Sequence, residues 1–179
     1  MAEPLQARVW LFRTAFVGLA LGLFFVRVLP LGTEAGRWPG PDLLLCLILA
    51  WVTRRPDYLP ALLIALVVLA EDLLLMRPPG LWAALVLLAS EFLRSRAALT
   101  RELSFVVEWA LISGLMVALL LGYRLIFALA FLPQTGFGFA MVQTLASILC
   151  YPLVVGLSWL ALNLRKPAMG EVDAYGRRM

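Results

Sequence analysis

Histidine is missing altogether from these 179 residues. Without an imidazole there is no HExxH zinc site, no Ser-His-Asp triad and no histidine proton relay. Charge is scarce too. Only 15% of the residues are Asp, Glu, Lys or Arg, against about a quarter in an average soluble domain. Cysteine occurs twice, as Cys46 and Cys150, each inside an apolar run. That spacing fits neither a disulfide framework nor a CxxC metal site, and both read as small buried hydrophobes. No GxSxG, no P-loop and no glycine-rich cradle followed by lysine is present. The sequence therefore offers no catalytic, metal-ligating or cofactor-binding residue, and no enzyme is expected.

What the chain has in excess is apolar surface. Hydrophobic residues make up 63% of it, and the mean hydropathy is +0.94. One soluble core of this size cannot hide that much, so an all-α, polytopic integral membrane protein is expected. The formal charge of +4 then says nothing about nucleic acid, which is not an expected partner. The placement of the basic residues matters more than their sum.

Six apolar runs are separated by turn chemistry: Trp10–Leu29, Leu43–Val52, Leu59–Leu75, Leu81–Phe92, Phe105–Leu132 and Phe137–Leu164. Pro and Gly punctuate the loops at Leu29–Asp42, Thr53–Pro60, Met76–Gly80 and Leu132–Gly138. The separator Leu93–Leu103 is charged instead. The first run is too long for a signal peptide core and no A-x-A site follows, so a retained first span is expected. With the N-terminus in the cytoplasm, the inner segments carry Arg8, Arg13, Arg54, Arg55, Arg94, Arg96, Arg101, Arg165, Lys166, Arg177 and Arg178. The outer loops carry only Arg37 and Arg77, while Arg27 and Arg124 fall within spans. That asymmetry predicts six spans with both termini cytoplasmic. Residues 1–164 form the membrane domain in this reading, and 165–179 a cytoplasmic tail that orders against a partner or anionic headgroups.

The second and fourth runs are little more than half of the roughly 20 residues a span needs. Pro39-Gly40, Pro79-Gly80 and the Pro133–Gly136 turn precede the even-numbered spans, which suggests three helical hairpins stacked in order. Short interrupted segments at matching positions also occur around transporter binding sites.

The polar residues inside the runs are the candidate site. Glu71 and Asp72 stand together in VVLAEDLLLMR. At about 1.5 Å per residue, Asp72, Arg124 and Arg27 lie roughly 7, 9 and 11 Å beyond the midpoints of their spans. They share one level, which predicts a pair between Asp72 and Arg124, and one between Glu71 and either Arg27 or Arg77. Snorkelling of each charge to the interface is the competing reading, and proton or cation passage a further one. In the sixth run, Gln143, Ser147 and Tyr151 recur every four residues, and Ser158 continues the face. Such a stripe packs helix on helix or lines a ligand site. Pro152 removes the bond to the Ile148 carbonyl and predicts a kink. Gly18 and Gly22 form a GxxxG that would admit a close helix. Glu91, Glu102 and Glu108 are expected to pair locally with Arg94, Arg96 and Arg101.

Taken in order, these motifs resemble a family. PDLLLCLILAW (Pro41–Trp51) is followed by the basic turn and third span of RRPDYLPALLIALVVLAEDLLLMRPPGLWAALVLL (Arg54–Leu88). FVVEWALI (Phe105–Ile112) and QTLASILCYPLV (Gln143–Val154) come later. The pattern is similar to the rod shape-determining protein MreD, and the tail RKPAMGEVDAYGRR to its alphaproteobacterial branch. The family often has a glycine shortly before the third-span Asp, where this chain has Val68, Leu69, Ala70 and Glu71. The resemblance implies a fold similar to the S component of energy-coupling-factor transporters. It implies a non-enzymatic scaffold of lateral peptidoglycan synthesis in the bacterial inner membrane. The implied partners are MreC, RodA with its class B transpeptidase, MreB and the lipid bilayer. The rival reading is a small-molecule-binding subunit of a transporter, against which the short outer loops after the third and fifth spans weigh.

Overall fold

A computed structural model describes residues 3–29, 39–162 and 164. Its described residues are helical throughout, with turns between: α1 (Glu3–Val28), α2 (Leu43–Arg54), a 3-10 turn (Pro56–Tyr58), α3 (Ala61–Leu74), α4 (Leu81–Ser95), α5 (Ala97–Glu102), α6 (Phe105–Leu129) and α7 (Phe137–Leu162). Among the described residues, three helices are long and apolar enough to cross a membrane: α1 from Gln6, α6 and α7. At about 1.5 Å per residue, the 12 residues of α2, 14 of α3 and 15 of α4 give only about 18–22 Å, less than the roughly 30 Å of a hydrocarbon core. The tail from 165 onward and the Pro30–Trp38 part of the first loop, with Arg37, lie outside the described residues.

Composition explains why α2 is central. LLLCLILAWVT has no polar face until its last residue, and a helix that is apolar all round belongs inside. Every residue from Leu44 to Arg54 is buried. α2 packs chiefly on α7 and then on α4, and only lightly on α1. The expected stack of hairpins in chain order is therefore corrected. The α3–α4 and α6–α7 hairpins form, but α2 leaves α1 and inserts among later helices. Burying α2 on all sides removes more apolar surface than a two-helix hairpin could.

The charged separator Leu93–Leu103 is not a plain turn. It holds α5, in which Ala97, Ala98 and Leu99 are good helix formers. Elsewhere the boundaries follow local chemistry. Asp42 caps α2, its Oδ1 accepting the Leu45 N–H at 3.1 Å. Pro60 precedes α3. Met76 at φ 50° ends the α3 turn, and Gly80 at φ 91° opens α4 in the left-handed region that glycine enters without strain.

The six principal helices run alternately between two ends. The C-termini of α1, α3 and α6 and the N-termini of α2, α4 and α7 meet at what we term the Arg27 end. The opposite, Arg54 end holds an aromatic cluster. Phe12 stacks on Tyr58 at 4.4 Å, and Phe16 and Phe12 pack on Trp51 at 5.5 and 6.3 Å. These rings tie α1 to α2 and the following turn. Gly18 and Gly22 meet no atom within 4 Å where a Cβ would stand, so the GxxxG admits no close neighbour from the described residues.

Candidate functional site

Two polar clusters, one near each end, account for nearly all the sequence-predicted residues. At the Arg27 end, Arg27 Nη1 donates to Glu71 Oε1, one of the two pairings open in the sequence. The same nitrogen stands 4.0 Å from Asp42 Oδ1. Glu71 is 1% exposed and Asp42 5%, so one guanidinium links α1 to the start of α2 and the end of α3. Arg77 takes a different place, over the ring of Trp82 at 5.7 Å.

Asp72 corrects the expectation most clearly. It does not meet Arg124. Its Oδ2 accepts the N–H of Gly80 at 3.1 Å and of Ala83 at 3.3 Å. Gly80 is the N-cap of α4 and has no side chain to fill that role. The carboxylate eight residues earlier fills it instead, against the positive end of the helix. Adjacent residues on a helix point about 100° apart. Asp72 therefore turns to α4 while Glu71 turns to α1. Arg124 Nη1 donates to the Thr135 carbonyl at 3.0 Å, Gln134 Nε2 donates to the Arg124 carbonyl at 3.0 Å, and the guanidinium lies over Phe137 at 5.1 Å. Arg124 thus closes the α6–α7 turn.

The α7 stripe faces α2, which no spacing rule could show. Ser147 Oγ accepts the Asp42 N–H at 2.8 Å and donates to the Gln143 carbonyl at 2.8 Å. Cys46 Sγ donates to the Ser147 carbonyl at 3.3 Å. Trp51 Nε1 donates to Ser158 Oγ at 3.3 Å. Pro152 leaves the Ile148 carbonyl without its helical donor, and Trp109 Nε1 supplies one from α6 at 2.9 Å.

Near the Arg54 end is the cluster that sequence reasoning missed. Arg54 Nη1 donates to Glu108 Oε1 at 2.9 Å, and the Tyr151 hydroxyl donates to the same oxygen at 2.9 Å. Arg54 also reaches the Ala50 carbonyl at 3.3 Å and lies 3.5 Å from the Tyr151 oxygen. The three residues are 6%, 1% and 0% exposed. They join α2, α6 and α7 at one point. Glu108 therefore reaches across the bundle to Arg54, a partner not expected for it, while the Arg101 side chain lies outside the described residues. Arg54 counted in the sequence as one surface arginine of a basic turn. The wholly apolar run before it was the available signal, since a helix buried on every side carries its last residue inside too. Glu91 does pair locally, with Arg94 at 2.8 Å, and Arg94 also donates to the Leu59 carbonyl. The Glu102 side chain lies outside the described residues.

Between the helix ends at the Arg27 end lies an open cavity of about 1190 Å³. Arg27, Arg77 and Arg124 line it with Asp42 and Glu71. Gln143, Thr144 and Ser147 add polar groups, and Leu23, Phe24, Met116 and Leu120 form an apolar wall. Trp82 and Tyr123 meet edge to face at 5.7 Å beside it. Among the described residues no three His, Cys, Asp or Glu side chains come together as a metal site. No protein-family model, no curated protein and no solved structure matches this chain.

Proposed function

We propose that the chain is a six-span protein of the bacterial inner membrane, with both termini cytoplasmic, acting as a non-enzymatic scaffold of the MreD type. The observation that carries the reading is how the interior polar groups are used. Glu71 engages Arg27, Asp72 the first turn of α4, Glu108 Arg54 and Tyr151, and Trp109 the Ile148 carbonyl. Each joins one helix to another, as expected of a rigid platform. The shortest of the six principal helices, α2, fits a membrane because it is covered by protein and its N-terminus opens on a cavity. The unpaired backbone groups at a helix end within the membrane are tolerated where protein buries them or a cavity admits water. Wide apolar faces on α1, α6 and α7 are left for lipid or for a partner's helix. In this reading the platform holds MreC and works with RodA, its class B transpeptidase and MreB. The fold is proposed to be similar to the S component of energy-coupling-factor transporters.

The cavity favours a second reading, a small-molecule-binding subunit of a transporter. Purification in mild detergent followed by mass spectrometry separates the two. Recovery of a coiled-coil periplasmic partner supports the scaffold. Recovery of paired ATPases with a membrane coupler supports the transporter. Reporter fusions after Arg55 and Arg101 should report cytoplasm, and fusions after Pro79 and Gly136 the periplasm. One internal loop on the wrong side sinks the six-span topology.

A further inference from the structure

The cavity at the Arg27 end contains positive charge that, among the described residues, no carboxylate meets at ion-pair distance. The carboxylates there are engaged: Glu71 and Asp42 face Arg27, and Asp72 caps α4. Arg77 and Arg124 are different. Among the described residues neither has a carboxylate within 4.0 Å. Both are half-buried and line the cavity. Each lies over an aromatic ring, Arg77 on Trp82 and Arg124 on Phe137. A guanidinium resting on a ring keeps its N–H fork edge-on for a planar or tetrahedral oxyanion. Arg124 commits Nη1 to the Thr135 carbonyl, and its remaining donors stay available.

The rest of the cavity is not that of a site for a small ion. About 1190 Å³ exceeds the roughly 300–1,000 Å³ of a pocket for a drug-sized molecule. Leu23, Phe24, Met116 and Leu120 supply an apolar wall on α1 and α6. The α1 face beside it is apolar and exposed at Phe25 and Val26. Cationic forks at one end and an apolar wall leading to an apolar helix face match an amphiphile with an anionic head. We propose that this cavity is a binding site for an anionic phospholipid, with Arg77 and Arg124 holding the phosphodiester and the acyl chain lying along the α1–α6 wall. The site rests on the cavity's own chemistry and stands or falls independently of the scaffold reading.

The test uses the full chain purified in dodecyl maltoside, titrated with dihexanoyl phosphatidylglycerol, dihexanoyl phosphatidylcholine or inorganic phosphate, with thermal unfolding as the readout. Phosphatidylglycerol should raise the Tm by about 5 °C or more at a large excess over its Kd, and phosphatidylcholine and phosphate by much less. Arg77→Gln with Arg124→Gln should weaken the phosphatidylglycerol response by about tenfold in apparent Kd. Arg96→Gln, at the other end, should leave it unchanged. The paired Lys variants, which keep the charge, should retain the anion preference, and they decide the matter if the Gln variant does not fold. Equal responses to the two lipids overturn the proposal. So does a phosphate response as large as the lipid's, which would mark a small-oxyanion site, or a full response in the folded double Gln variant.

Discussion

Replacing Glu108 by Leu should be among the most damaging single changes in this protein. Glu108 Oε1 accepts from both Arg54 and Tyr151, and all three side chains are buried. Removing the carboxylate strands the Arg54 guanidinium, which then keeps, among the described residues, the Ala50 carbonyl and the Tyr151 oxygen at 3.3 and 3.5 Å. Breaking a buried pair from one side costs about 3–5 kcal/mol. For a chain of this size each kcal/mol moves the Tm by about 2–4 °C, so a fall on the order of 10 °C is expected. Arg54→Leu should cost a similar amount, because it strands the carboxylate. Combining them leaves neither charge unpaired, and the double variant should be clearly more stable than the sum of the single losses predicts. Tyr151→Phe should be milder, about 1.5–3 kcal/mol, for one hydrogen bond to a charged acceptor. The assay is thermal unfolding in detergent, followed by tryptophan fluorescence or loss of monodisperse protein. Losses that simply add in the double variant, or a Glu108→Leu cost below about 1 kcal/mol, would refute the reasoning that this cluster locks α2, α6 and α7 together.

Three further outcomes follow from the same geometry. Asp72→Ala should cost about 1–3 kcal/mol by uncapping α4, and its loss should be additive with that of Arg124→Ala, since the two residues do not meet; strong coupling in that cycle would contradict the α4 cap. Arg27→Gln and Glu71→Gln should be non-additive when combined, read by the same unfolding assay. Trp109→Phe should destabilise by about 1–3 kcal/mol because the Ile148 carbonyl loses the donor that replaces its helical one, and Pro152→Ala in that background should restore part of the loss by returning the helical bond; no recovery would show that the indole acts through packing alone.

Composition and spacing determined that this chain is built of apolar helices. Scarce charge, the apolar runs and the Pro-Gly punctuation are local properties, and they place the six principal helices within a few residues of where they stand, except that α1 begins at Glu3, well before the apolar run at Trp10. Arg27 was readable as one of two candidate partners for Glu71 because the helix rise puts them at one level, and the structure selects it over Arg77. What the sequence could not decide is which helix faces which. Asp72 and Arg124 share that level too, yet α4's uncapped N-terminus competes for the carboxylate and lies nearer. Glu108 has arginines close by in the chain but pairs with Arg54, which stands 54 positions away in sequence. The reason is the position of α2. Its all-apolar surface says that it must be buried, a demand that any set of neighbours could meet. Only the packed bundle selects α7 and α4 as those neighbours, and with them the partners of Asp42, Cys46, Trp51 and Arg54. Periodicity records which face of a helix is polar; which polar face it meets is a property of the whole chain, because that choice depends on the total surface buried and not on any one helix.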